Sequence, residues 1–390
     1  MNPQRCTLSS GIFVHYRSFF FFQKSMLVYL LRGMKKFIAL IILISAVVSA
    51  LYFLRLNSNF QNNSSIAGLP TKPEGVPEEK SVLPSPIGIE YLRSLKIDSD
   101  APVIEEELSD GSNYKRYVVS YLSEGNKVYG LLTVPNETVP EGGFPAVVFN
   151  HGYIPPAQYE TTQNYASYVD YLAKNGFVVF KIDFRGNGKS EGDPSGSYFS
   201  SAYTIDAISA VKSLQKYELV NPEKIGMWGH SMSGNVTLRS MLVSDDIKAG
   251  VIWAGAVYSY ADFAKYGISD NSYVHRPYET SEGEQEKNRE ISSEVQKIRT
   301  EPDKIDFSND FWTSVSLTQN LKYLSGALQI HHATNDPVVN IGYTRDLEGV
   351  LESAGKDYSV YEYEGGGHNI VSPYYDTAMQ RTVEFFREKL

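Results

Sequence analysis

The chain has 390 residues, enough for one large mixed domain with additions, and its apolar (42%) and charged (21%) fractions are those of an ordinary globular protein. A formal net charge of −9, with no Lys/Arg-rich domain, excludes a nucleic-acid partner held through phosphate contacts. The only cysteine is Cys6, in the N-terminal stretch, which excludes disulfides, zinc knuckles and a thiol nucleophile from the folded part.

Residues 37–54, "FIALIILISAVVSALYFL", form an unbroken apolar run behind Arg32, Lys35 and Lys36. That length nearly spans a hydrocarbon core, and the preceding positive charges set the N-terminus on the cytoplasmic side. We expect residues 1–56 to comprise a cytoplasmic N-terminus and a single transmembrane signal anchor at 37–54, with the rest of the chain extracytoplasmic. The alternative is secretion after cleavage near Ala50, where Val48-Ser49-Ala50 has the small-residue pattern of a cleavage site. Met34, opening "MKKFIALII", is a second candidate start. Residues 57–85 are rich in Asn, Ser, Pro, Gly and Glu and read as a disordered linker, with folded structure from about residue 86 to 390.

"YKRYVVSYLS" and "NKVYGLLTVP", joined through Glu124-Gly125-Asn126, alternate as an antiparallel hairpin does. "FPAVVFNHG" and "FVVFKIDFRGNG" are short apolar strands ending in polar loops, as buried parallel strands read. Between them the spacing predicts a helix over 161–174, stopped by Asn175-Gly176. A helix over 202–215, the strand "EKIGMWGHS", a helix over 235–243 and the strand "IKAGVIWAGA" follow. After the polar 258–324 stretch come "GALQIHHATND", a helix over 342–354, "YSVYEYEGGGH" and a final helix from Tyr375. The alternation implies an α/β fold: a mostly parallel central sheet with helices on both faces and an antiparallel N-terminal hairpin. The 258–324 segment is too long for a structureless loop and is read as a cap insertion at the active edge, with 270–305 governing substrate access.

The polar signals fall at strand ends, where such sheets bind ligands: Asn150-His151-Gly152, Asp183, Ser231, Asp336 and His368. Strand, Gly-x-Ser-x-small, helix, then a later Asp and His in that order resembles the α/β-hydrolase arrangement. "NHGY" (150–153), "DFRGNGKSEG" (183–192), "GHSMSG" (229–234), "HHATNDPVV" (331–339) and "GGGHNI" (365–370) most resemble the catalytic domain of the prolyl oligopeptidase family and related esterases and acyl-peptide hydrolases. The resemblance implies a serine hydrolase working through an acyl-enzyme.

Residue by residue, Ser231 is the candidate nucleophile, because Gly229 and Ser233 leave the small flanks that a sharp strand-to-helix turn needs. Ser233 as nucleophile would be flanked by Ser231 and the bulkier Asn235. His368 is the candidate base, just past the last strand on three glycines; His230 is adjacent to Ser231 and expected to point away, and His331 and His332 read as sheet residues. Asp336 is the candidate acid, at a strand end before Pro337. Its rivals are Asp357, at the opposite end of the sheet, and Glu362 and Glu364, on a solvated strand face. The oxyanion hole would use the backbone N–H groups of Met232 and Tyr153. Asp183 and Arg185 are read as structural.

No cofactor or metal is implied, and "GNGKS" at 186–190 lacks the spacing of a phosphate-binding loop. Too few folded residues precede the "AVVFNHG" strand for a propeller, so an ester or acyl hydrolase is favoured. The alternatives are a prolyl oligopeptidase-like peptidase taking short peptides and a catalytically inactive binding protein.

Overall fold

The computed structural model describes residues 85–194, 198–268, 293, 294, 296–298 and 300–390. The expected anchor at 37–54 and the linker up to residue 84 lie outside the described residues, as does the 269–292 part of the insertion. Among the described residues no helix is long and apolar enough to cross a membrane.

A short helix α1 (Ile89–Ser94) precedes three antiparallel strands: β1 (Val103–Leu108), β2 (Tyr114–Ser123) and β3 (Asn126–Pro135). The β2–β3 hairpin turns on Glu124 (φ 49°) and Gly125 (φ 81°). Two left-handed residues give the connection whose twist matches that of the flanking strands. The sequence reading missed β1. Its first five residues are exposed and three of them are glutamates, so it lacks an apolar face to mark it. Charges of this kind also protect an edge strand from pairing with another chain.

The rest alternates: β4 (Phe144–Asn150), α2 (Ala166–Lys174), β5 (Val178–Ile182), α3 (Ala202–Gln215), β6 (Val220–His230), α4 (Met232–Val243), β7 (Ala249–Trp253), α5 (Tyr260–Tyr266), α6 (Asp310–Val315), β8 (Ala327–Ala333), α7 (Gly342–Ser353), β9 (Tyr358–Tyr363) and α8 (Tyr375–Lys389). The nine strands stand in the order β1-β2-β3-β5-β4-β6-β7-β8-β9. From β5 to β9 every neighbouring pair is parallel. Of these, β4, β5, β7 and β8 are buried because helices cover both faces, whereas β9 at the edge is only partly buried.

One face is packed by α1, α3, α4 and α7, through residues such as Leu92, Ile208, Val236 and Leu347. The other is packed by α2 and α8, through Val169, Leu172, Met379 and Phe386. The described flanks of the 258–324 insertion belong to the first layer: Tyr260 of α5 and Trp312 of α6 are buried with ring centroids 4.9 Å apart. This is the α/β-hydrolase fold that the motifs imply. Its strand order places the site: from β4 the chain runs to β5 on one side, while β6 lies on the other, so a crevice opens at the carboxyl ends of β4 and β6.

Candidate active site

Ser231 stands between β6 and α4 at φ 55°, ψ −120°, a conformation that L-residues adopt only when the surroundings enforce it. Its N–H donates to the Trp253 carbonyl (2.9 Å) and its carbonyl accepts from Gly234 N–H (2.9 Å), so the turn is tied to β7 and to the first turn of α4. The glycine spacing follows from what crosses this turn. A Cβ at Gly229 would lie 2.3 Å from both the Ser233 carbonyl oxygen and Thr237 Oγ1. A Cβ at Gly234 would lie 2.6 Å from the Cα of Gly255, in the loop after β7. The second tight approach is therefore at 234, one place later than in the usual motif. Position 233 has room for a hydroxyl, and Ser233 Oγ donates to the buried His151 carbonyl (2.5 Å).

The sequence-predicted residues come together in one line. Ser231 Oγ is 2.9 Å from His368 Nε2, and His368 Nδ1 is 2.8 Å from Asp336 Oδ2. Asp336 Oδ1 accepts from the N–H groups of Val338 (2.8 Å) and Val339 (3.0 Å). Burial alone would raise the Asp336 carboxyl, but hydrogen bonds from His332, His368 and Val339 together with the His368 charge outweigh it. The carboxyl is held well below the usual carboxylate range. It stays ionised, able to fix the His368 tautomer and stabilise an imidazolium.

Two of the rival acids are engaged elsewhere. Asp357 pairs with Lys389 (2.8 Å), and Glu362 holds Arg345 with two bonds of 2.7 Å. Asp183 accepts from Tyr159 and Thr161, and Arg185 clasps Asp206, which gives both the structural part assigned to them. His331 lies buried in β8 between Gln329 and Tyr363.

Two histidines carry more than the sequence suggested. His332 is buried in β8 as expected, yet its Nε2 reaches Asp336 Oδ2 (3.2 Å) while Thr344 Oγ1 lies 2.7 Å from its Nδ1. His230 does not point away: its ring centroid is 4.6 Å from that of His368, and its Nε2 is 2.9 Å from the His368 carbonyl oxygen. Nothing in the local sequence marks either contact, since His332 lies in β8 and Asp336 in the loop beyond it.

Met232 is the first residue of α4, where the helix end carries partial positive charge. Tyr153 follows Gly152 in the loop after β4, and both line the cleft that holds Ser231 and His368. The cleft has a volume of about 510 Å³. Its walls are mainly apolar and aromatic, with Tyr153, Ile154, Tyr165, Tyr168, Val338 and Val371 beside the neutral amides Asn164 and Asn369, and no Asp, Glu, Lys or Arg lines it among the described residues. Among the described residues no group of three or more His, Cys, Asp or Glu side chains is placed to hold a metal ion.

This geometry has known relatives. Human ABHD12B is 26% identical over 213 residues, covering 54% of this chain and 51% of that protein. Human dipeptidyl peptidase 8 is 24% identical over 258 residues, covering 64% of this chain and 25% of that protein. The chain thus spans about half, or a quarter, of the length of these curated relatives. The crystal structure of acetyl xylan esterase 1 from Thermoanaerobacterium sp. superposes with a TM-score of 0.54 at 16% identity, over 76% of this chain and 90% of that one, a likeness of fold. Residues 144–372, more than half of the chain and the whole stretch from β4 past His368, match the Hydrolase_4 family profile, described as serine aminopeptidase, S33. The chain belongs to this family of serine hydrolases with the α/β-hydrolase fold.

Proposed function

We propose that the protein hydrolyses esters through an acyl-enzyme on Ser231. His368 Nε2 takes the Ser231 proton as Oγ attacks the carbonyl carbon. The tetrahedral oxyanion is met by the N–H groups of Met232 and Tyr153. His368 returns the proton to the leaving alcohol as the C–O bond breaks, and a water activated the same way releases the acid and frees Ser231. The 2.9 Å and 2.8 Å hydrogen bonds that join Ser231, His368 and Asp336 support these roles.

The observation that carries the preference for esters is the uncharged lining of the cleft. The family is described as aminopeptidases, and dipeptidyl peptidase 8 is named for the same kind of substrate. An enzyme that reads a free amino terminus must pair an ammonium group with a carboxylate, since burying an unpaired cation is costly. The described cleft residues offer no carboxylate for that purpose, and Asp336 is turned to His368 and His332. Acyl esters of uncharged alcohols need no such partner. In a panel of p-nitrophenyl esters and aminoacyl-nitroanilides with the full chain, the esters should turn over with the higher kcat/KM; faster cleavage of the nitroanilides would reverse the assignment.

The apolar run at 37–54 behind Arg32, Lys35 and Lys36 supports a membrane anchor with this domain on the extracytoplasmic side. Release of the protein from membranes by alkaline carbonate would contradict it.

A further inference from the structure

Tyr165 departs from the pattern around it. The sequence predicts a helix from 161, yet α2 begins only at Ala166, because Tyr165 takes a left-handed conformation (φ 58°, ψ 21°). A bulky residue adopts that conformation only where other contacts hold it there. Its ring packs against Phe149 and Trp228, and its hydroxyl adds two polar contacts. Tyr165 Oη accepts from the N–H of Gly152 (2.9 Å) and lies 2.7 Å from His230 Nδ1. On the far side of the imidazole, His230 Nε2 lies 2.9 Å from the carbonyl oxygen of His368.

With the His230 ring neutral, as its burial dictates, only one arrangement of protons fits this chain of atoms. The Gly152 N–H can only donate and the His368 carbonyl can only accept. His230 must therefore carry its proton on Nε2, and the Tyr165 hydroxyl must donate to the bare Nδ1. The series runs without a break from the loop after β4, which holds Tyr153, to the loop after β9, which holds His368. Gly152 is fitted to it: a Cβ there would lie 2.6 Å from Tyr165 Oη and 3.0 Å from His230 Nδ1.

We infer that Tyr165 and His230 are positioning residues that set the oxyanion loop and the catalytic histidine at one fixed separation, resting on the reading of Ser231, His368 and Tyr153 given above. The His368 loop needs such a hold. Gly366 (φ 98°) and Gly367 (φ 60°) give it freedom. Besides His230, side-chain bonds to its backbone come from Asn335 to Gly367 N–H (3.0 Å) and from Tyr168 to the Asn369 carbonyl (2.9 Å). Burial, together with the neighbouring His368, keeps the His230 ring neutral, where a second cation would oppose the imidazolium formed in each half-reaction.

The test is Tyr165→Phe in the full chain, which keeps the ring and removes both hydrogen bonds. With p-nitrophenyl acetate, kcat per site titrated with a fluorophosphonate should fall roughly 10- to 100-fold, with KM within about threefold, as misplacement of reacting groups requires. Nitrogen NMR of imidazole-labelled protein should show His230 protonated at Nε2 alone in the wild type and lose that single tautomer in the variant. A purely structural tyrosine would lower the folded fraction and leave kcat per titrated site unchanged. An unchanged kcat, or a wild-type His230 protonated at Nδ1, overturns the inference. The spectrum decides the bridge even if Ser231 is not the nucleophile, an error that would appear separately as no adduct on Ser231.

Discussion

Ser231 and Ser233 lie two residues apart, and their hydroxyls meet different partners. Ser231 Oγ meets a ring nitrogen that can take its proton, whereas Ser233 Oγ meets a backbone carbonyl that cannot. Ser233 is fully buried, so Ser233→Ala leaves the His151 carbonyl short of a donor, at about 1–3 kcal/mol of folding stability. The triad is untouched, and catalysis should fall by no more than about tenfold, or about 1.4 kcal/mol of barrier. Denaturant unfolding alongside ester kinetics separates the two effects; a stable but inactive variant would show that Ser233 takes part in the chemistry. From sequence, Ser233→Gly reads as a neutral return to the usual motif. It removes the same bond to His151, so the structure places it beside Ser233→Ala.

The strands and helices were legible where burial imposes a period, and less so where a single contact overrides it. Strands β4, β5, β7 and β8 are wholly or almost wholly buried and announce themselves as apolar runs. Helix α3 keeps the bounds expected of it, and α4 begins three residues earlier than its apolar spacing suggested, because Met232 already takes up the helix behind Ser231. The start of α2 was misplaced because Tyr165 is held by Gly152 and His230, partners that only the fold brings near. Ser231, Asp336 and His368 were readable because chain order and strand-end position are features of sequence. The sharing of Asp336 between two imidazoles, and the turn of His230 toward His368, depend on how β6, β8 and the last loop converge, and no local pattern encodes that.

For the molecule as a whole, the buried histidines tie stability to pH. Burial pushes His151 down to about 4, and His230 and His331 down to about 3, from an ordinary value of 6.5. Each is neutral in the folded chain and takes up a proton on unfolding once the pH drops below about 6.5. Depressed folded values mean that this stability is fully present above pH 6.5 and is lost as the pH falls, towards 4 for His151 and towards 3 for His230 and His331. The loss is at most about 1.4 kcal/mol per pH unit for each group. The thermal midpoint should therefore drop clearly between pH 7 and pH 5; an unchanged or higher midpoint at pH 5 would show that these rings are charged in the folded state.

The central claim is that the turn between β6 and α4 presents Ser231 to His368 as a nucleophile. Its most direct measurement is peptide mapping by mass spectrometry after reaction with a fluorophosphonate, with Ser231→Ala and Ser233→Ala treated alongside. One adduct is expected, on Ser231, and it is retained in Ser233→Ala. In Ser231→Ala the adduct should be absent and ester hydrolysis reduced on the order of 10⁶-fold. An adduct on Ser233, or an active Ser231→Ala enzyme, would contradict it.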